Sequence, residues 1–237
     1  MHAIEAALGF RLTQSQVGAV LWCAPGVDET NQAAALERHL PKLAAALDSR
    51  TAPLSVAPDA ATLWAWIPAT AIEADTVPEK LAGAGDDVRV ALGEPAGGLA
   101  GFRTTHRQAA QAQTVALAAG PERARPLITA SQLGPLALLG PDLTSAAAWV
   151  QSVLGPLAED DEQHAQMRET AWAYLSSGGS LSAAAAALHL HKNTIQYRIR
   201  KAEETRGRPF DDGRLDVEVA LLACRLLGSA GLRPVHS

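Results

Sequence analysis

Apolar positions follow two different rhythms along this chain. Val17-Gly18-Ala19-Val20-Leu21-Trp22-Cys23 is a near-continuous apolar run of strand length, and Pro25-Gly26 closes it. From Ala33 to Asp48 the rhythm becomes helical. Ala33, Leu36, Leu40, Leu43 and Leu47 recur at helical spacing and predict one buried stripe, with Thr30 placed to cap the helix. Leu54-Ser55-Val56 and Thr62-Leu63-Trp64-Ala65-Trp66-Ile67 flank Ala57-Pro58-Asp59-Ala60-Ala61, a hairpin connection with Pro-Asp turn chemistry. A second helix is predicted from about Thr76 to Gly83, followed by a strand at Val88-Arg89-Val90-Ala91-Leu92. After the break Gly93-Glu94-Pro95-Ala96-Gly97-Gly98, an alanine-rich helix runs from about Phe102 to Ala119. Ile4 to Leu8 forms a short helix or a lead-in. The order strand, helix, hairpin, helix, strand, helix fits an antiparallel or mixed sheet with helices gathered on one side.

Beyond residue 120 the strand rhythm disappears. Leu133, Leu136, Leu138 and Leu139 cluster around Gly134-Pro135, ahead of Gly140-Pro141. Ala146, Val150, Val153 and Leu154 then form an apolar helical face behind Thr144. Gly155-Pro156 and the acidic run ending at Asp161 mark a break. From Glu162 to Ser176, Met167, Ala171, Tyr174 and Leu175 share one helical face, which Gly178-Gly179 terminates. Ser180 caps a short helix over about Leu181 to Leu188, the turn His189-Leu190-His191 follows, and a further helix begins at Lys192. Two short helices joined this closely are the core of a helix-turn-helix. Leu215 to Leu227 forms the last helix, with a stripe of Val219, Leu222, Ala223 and Leu226 broadened by Leu215, Leu221 and Leu227. It completes a four-helix unit, and residues 228 to 237 read as a tail.

The helix from Lys192 separates two chemistries by angle. With Ile195 at zero, Ile199 and Ala202 fall at about 40° and 340°, toward a small core. Asn193, Gln196, Tyr197 and Arg200 fall at about 160°, 100°, 200° and 140°, on the opposite side. Asn and Gln offer a donor and an acceptor to adenine, Arg two donors to guanine, and Tyr a contact to phosphate or thymine. Lys192 and Thr194 lie at the helix start, where backbone amides favour phosphate. Lys201, at about 240°, is a phosphate contact. Arg198 sits near the core boundary, placed to bond a carboxylate. Arg206 and Arg208 extend the positive edge, and Gly207 marks the helix end.

Charge sharpens this picture. The chain of 237 residues has a net charge of -5, yet residues 180 to 208 carry six Lys and Arg against two Glu, whereas residues 1 to 160 carry 10 against 16 acidic groups. An acidic bulk with one basic block excludes a protein coated in nucleic acid and permits one localised phosphate-binding face. Cys23 and Cys224 lack the spacing of a zinc or redox motif and read as reduced core residues. With no leader pattern and no membrane-length apolar stretch, the chain reads as soluble and cytoplasmic. Gly97-Gly98-Leu99-Ala100-Gly101 lacks both the dinucleotide and the Walker fingerprints and reads as a turn. The histidines at 106, 164, 189, 191 and 236 form no HExxH motif and read as surface or turn groups, as does the pair Asp86-Asp87. No catalytic constellation, metal site or cofactor is implied, so the chain is not read as an enzyme.

The segment from Met167 to Leu227 resembles the PucR/CdaR family of bacterial transcriptional regulators. The resemblance is carried by Arg168-Glu169-Thr170, Tyr174-Leu175, Gly178-Gly179-Ser180, Ala187-Leu188-His189-Leu190-His191-Lys192-Asn193-Thr194-Ile195-Gln196-Tyr197-Arg198-Ile199-Arg200-Lys201, and Gly207 before Asp211-Asp212. The preceding half, roughly Phe10 to Gly120, resembles the degenerate GGDEF-like domain that commonly precedes this module. Ala57-Pro58-Asp59-Ala60-Ala61 stands where an active cyclase carries its GG[DE]EF turn, without the glycines or the acidic pair that chemistry needs. Little room is left ahead of it for the sensory domain of many relatives, so purine or sugar-acid sensing is not carried over.

The resulting fold class is α+β: a degenerate GGDEF-like sheet-and-helix domain over 1–126, a helical connector over 127–160, and an all-α PucR-type helix-turn-helix domain over 161–237. The resemblance implies a regulator binding double-stranded operator DNA through Lys192, Asn193, Thr194, Gln196, Tyr197, Arg200 and Lys201. The first domain then serves as a ligand-responsive or oligomerisation scaffold, with a homodimer and an unidentified small-molecule effector as further partners. The competing reading is a protein-association scaffold whose DNA binding is weak or conditional, owing to the run Ala183 to Ala187.

Overall fold

A computed structural model of the chain describes residues 5, 9–73, 76–81, 87–120, 125–138 and 143–232. Two compact units emerge, one of residues 1–117 with 121–137 and one of 118–120 with 138–237. The expected lead-in near Ile4, Asp86, the Gly140-Pro141 break and His236 lie outside the described residues.

The first unit is built on a six-stranded mixed sheet. Strands β1 (Ser15–Cys23), β2 (Leu54–Asp59), β3 (Thr62–Pro68), β4 (Val88–Leu92) and β6 (Leu127–Thr129) lie in the order β2-β3-β1-β4-β6, and the short β5 (Ala96–Gly97) pairs with β1. Neighbours are antiparallel except β4 and β6, which run parallel. β1 is apolar almost throughout because it is central, flanked by β3 and β4 and covered on both faces. Helix α1 (Gln32–Ala46) buries Leu36, Leu40 and Leu43 against Val17, Ala19, Leu21, Ala65, Ile67 and Val90.

Two local expectations change in this region. Ala33 is exposed, and Ala35, Leu36 and His39 form the buried edge instead. Asp28, not Thr30, supplies the entry cap: its Oδ1 accepts the Thr30 N–H at 2.9 Å and holds a 3-10 turn over Glu29–Asn31. In the hairpin, β2 continues through Asp59, so the chain reverses at Ala60-Ala61, where Asp59 Oδ1 accepts the Ala61 N–H at 2.8 Å. Helix α2 is described over Val77–Lys80.

Helix α3 (Gly98–Ala118) crosses the opposite face at unusually close range. A Cβ on Gly18 would stand 2.6 Å from His106 N, and one on Gly93 1.9 Å from Thr105 O. The contact is cemented by the Gly18 N–H, which donates to Thr105 Oγ1 at 2.7 Å. Beside it Trp66 stacks on Phe102 with centroids 4.2 Å apart and donates its indole N–H to the Phe102 carbonyl at 2.8 Å.

Residues 127–160 do not form one connector. β6 completes the sheet beside β4, and the short helix α4 (Ala130–Leu133) follows from a capping box between Thr129 and Gln132. Helix α5 (Leu143–Leu154) and the 3-10 turn Gly155–Ala158 belong to the second unit, burying Ala147, Val150, Leu154, Leu157 and Ala158. That unit also contains α6 (Glu162–Ser176), α7 (Leu181–Leu188), α8 (Lys192–Arg206) and α9 (Arg214–Leu227). Its core is therefore five-helical rather than four-helical among the described residues.

The buried face of α9 keeps part of the expected stripe and widens beyond it. Leu221, Ala223, Leu226 and Leu227 are buried as expected, Val217, Ala220 and Cys224 join them, Val219 and Leu222 are only half-buried, and Leu215 is 70% exposed. The expected tail begins later than residue 228, since Gly228–Gly231 forms a 3-10 turn, Leu232 is buried, and Gln151 Nε2 donates to the Leu232 carbonyl at 2.6 Å.

Candidate nucleic-acid interface

The approach to α8 is fixed by backbone geometry. Gly178 and Gly179 both adopt positive φ, 67° and 83°, which ends α6 at little steric cost. The Gly179 N–H closes onto the Tyr174 carbonyl at 2.9 Å. Ser180 turns extended and its Oγ accepts the Ala183 N–H at 3.2 Å, the expected N-cap. α7 stops at His189, a non-glycine residue in the left-handed region at φ 53°. His191 is extended again, and its Nδ1 accepts the Asn193 N–H at 3.2 Å, capping α8. That bond requires the Nδ1 lone pair, so a proton on Nδ1 removes the cap.

α8 divides as its angles predict. Ile195, Ile199 and Ala202 are buried, while Lys192, Asn193, Gln196, Tyr197, Arg200 and Lys201 are exposed and Thr194 is half-buried. Tyr197 is 59% exposed, a large ring left in solvent. Asn193, Tyr197 and Arg200 form one exposed line along the helix.

Neighbouring arginines have other employments. Arg198 Nη2 donates to Gln166 Oε1 on α6 at 3.2 Å, an amide where a carboxylate was expected. Arg206 does not extend a positive edge. It is buried, with Nε donating to Val153 O at 3.0 Å, Nη1 to Pro209 O at 2.6 Å and Nη2 to Asp212 O at 3.0 Å. Burial, and secondarily Arg208, draws its pKa below the usual guanidinium value. Arg208 lies at the surface, 3.7 Å from Asp212.

One participant was not anticipated in sequence. Glu204 Oε1 lies 3.6 Å from Arg200 Nε, and its Oε2 lies 3.8 Å from Lys201 Nζ. The spacings of four and three residues were visible, but attention to cations alone passes over the carboxylate between them.

Elsewhere, the histidines serve local roles. His106 is half-buried, not a surface group, held 4.8 Å from Trp64 and 5.1 Å from Trp66 by ring centroid. Burial pushes its pKa down, favouring the neutral ring. His164 Nδ1 meets Asp161 Oδ2 at 2.5 Å near Glu159, but Asp161 already caps α6 by accepting the His164 N–H at 2.9 Å. Cys224 is buried and Cys23 half-buried, and neither is in a disulfide. Burial, then Asp87 and Asp59, pushes the Cys23 thiol pKa up. Among the described residues no helix is long and apolar enough to cross a membrane.

Comparison with known proteins meets both ends of the chain. Residues 167–223 match the PucR C-terminal helix-turn-helix domain, and residues 1–115 match a GGDEF-like domain. Over 74 residues the chain is 39% identical to the transcriptional activator PmfR of Paenarthrobacter nicotinovorans, covering 31% of this chain and 16% of PmfR. Over 89 residues it is 39% identical to an uncharacterized protein in the pkwA 5' region of Thermomonospora curvata, covering 37% of this chain and 48% of that protein. Each match thus takes in less than half of the relative's own length. The crystal structure of a regulator of polyketide synthase expression from Bifidobacterium adolescentis aligns over 94% of this chain and 85% of its own at 22% identity, with a TM-score of 0.37. With a GGDEF-like domain placed ahead of a PucR-type helix-turn-helix, the chain belongs to the PucR/CdaR family of transcriptional regulators.

Proposed function

We propose that this regulator acts by sequence-specific binding of double-stranded operator DNA, with α8 as the reading helix. The observation that carries this is the exposed line Asn193, Tyr197 and Arg200, set opposite the buried Ile195, Ile199 and Ala202 on a helix capped at its entrance by His191. Gln196 joins the base-reading set, whereas Lys192, Thr194 and Lys201 contact phosphates. The name of PmfR, a transcriptional activator, agrees with this reading.

Selection from a random duplex pool tests it. The wild-type chain recovers a defined motif, and Asn193→Ala/Arg200→Ala loses it. Replacing Arg200 alone lowers discrimination at one base position by about 1 to 3 kcal/mol, while Lys201→Ala weakens matched and mismatched duplexes alike and reduces the salt slope by about one. Identical specificity profiles for the two variants would remove the division into reading and anchoring. Equally weak recovery of every sequence would favour the association scaffold.

The GGDEF-like unit serves as a ligand-responsive or oligomerisation scaffold, and the regulator works as a homodimer. One reading helix covers a small site, whereas a twofold pair engages half-sites about one duplex turn apart. Light scattering should give twice the chain mass, and the selected operator should be palindromic; a monomer forming a one-to-one complex would exclude the dimer.

The same unit makes no cyclic dinucleotide. Its hairpin turn offers Asp59, whose carboxylate already accepts the Ala61 N–H, and no glycine pair to admit nucleotide phosphates. Incubation with GTP and Mg²⁺ or Mn²⁺ should yield no cyclic product, and product formation abolished by Asp59→Ala would reverse this assignment.

A further inference from the structure

We infer that Glu204 is an electrostatic restraint on the reading helix, holding Arg200 and Lys201 away from phosphates at random sequence. The inference rests on the DNA-binding reading of α8 and assigns that surface its regulation. At 100° per residue Glu204 falls at about 180° from Ile195, in line with Asn193 at about 160° and Tyr197 at about 200°. It therefore continues the exposed line about 16 Å along the helix from Asn193. Its carboxylate faces Arg200 Nε at 3.6 Å and Lys201 Nζ at 3.8 Å. All three side chains are open to solvent, 72%, 47% and 55% exposed for Arg200, Lys201 and Glu204.

The adjacent glutamate has a different position and use. Glu203 is half-buried and its Oε1 accepts the Phe210 N–H at 2.9 Å, tying the end of α8 to the following turn. Glu204 is exposed and, with Glu203, Arg200 and Arg208, lines an open cleft, on ground that a duplex docked along α8 would cover. Any phosphate reaching these arginines meets a carboxylate within a few ångströms, at a separation far below the Debye length of physiological salt. A bidentate contact to guanine compensates Arg200 for leaving Glu204, whereas a diffuse backbone contact compensates it less. The carboxylate thus lowers affinity for unmatched duplex more than for the operator.

Glu204→Gln keeps the side-chain shape and removes the charge. Glu37→Gln, on the exposed side of α1 in the other unit, makes the same change in net charge. In the 237-residue chain, Glu204→Gln should bind random-sequence duplex about 5-fold more tightly, with a salt slope steeper by about 0.9, and discriminate less. It should also elute from immobilised heparin at higher salt than wild type, and Glu37→Gln should do neither. Coelution of all three proteins with unchanged duplex affinity would overturn the restraint. So would weaker operator binding at unchanged random-duplex affinity, which would make Glu204 an acceptor for cytosine. A retained heparin shift in a protein that selects no duplex would uphold the restraint on polyanion binding and defeat the operator reading separately.

Discussion

Gly93→Ala should unfold or severely destabilise the sheet unit, although the substitution adds one methyl group. Gly93 is not among the glycines with positive φ, so alanine meets no conformational objection there. The objection is spatial. Its Cβ would stand 1.9 Å from the Thr105 carbonyl oxygen and 2.6 Å from the Thr105 carbonyl carbon, backbone atoms of a 21-residue helix. Gly18 faces the same helix, its own Cβ position 2.6 Å from His106 N, and the two glycines are joined by the Gly93 N–H donating to Gly18 O at 2.8 Å. Relief requires α3 to lift, which stretches the 2.7 Å bond from Gly18 N to Thr105 Oγ1 and parts Trp66 from Phe102. Overpacking within a yielding core costs about 1 to 3 kcal/mol, and a clash against backbone on both sides should exceed that range. Gly26→Ala is the contrast: φ is +91° but nothing lies within 4 Å, so its cost is conformational, about 1 to 2 kcal/mol. Urea denaturation followed by tryptophan fluorescence should rank Gly93→Ala well below Gly26→Ala. The reverse order would mean that the helix yields freely.

What was legible in the sequence was whatever depended on neighbours in the chain. β1 and β4 announced themselves because a central strand is apolar over a run long enough to see. The division of α8 was readable because Ile195, Ile199 and Ala202 are its sparse apolar positions, leaving one rotation that buries them. α9 lacked that economy: Leu215, Val217, Val219, Leu221 and Leu222 offer apolar groups in several directions, and packing against α5 and α6 selects the face. β6 was missed because three residues carry no periodicity; it exists by pairing with Val90, Ala91 and Leu92. The close crossing of α3 joins Gly18 to Thr105 across 87 positions, a distance at which no local rule speaks.

Arg206→Met should produce the corresponding collapse in the helical unit, and it shows why the basic run was misread at this residue. In sequence Arg206 stands among the cations of residues 192–208 and extends their edge. In the fold its guanidinium is buried and bonds carbonyls from three places, Val153 at the end of α5, Pro209 in the turn after α8, and Asp212 before α9. One planar group thereby joins α5, α8 and the entry to α9, a geometry that the five donors of arginine permit and a lysine ammonium does not. Methionine retains much of the aliphatic stem but no donor: the Val153 carbonyl then keeps only the 3.4 Å bond from Arg208 Nη2 and the Pro209 carbonyl only the Asp212 N–H at 3.2 Å, while three bonds from a charged donor, each worth about 1.5 to 3 kcal/mol, are lost. Partial relaxation and water entry bring the expected total to about 3 to 5 kcal/mol, and Arg206→Lys should recover only part of it. Hydrogen exchange should show lost protection in α5, α8 and α9, with the strands of the sheet unit unchanged. Protection in α8 equal to wild type would mean that apolar packing of Ile195, Ile199 and Ala202 alone holds the reading helix in place.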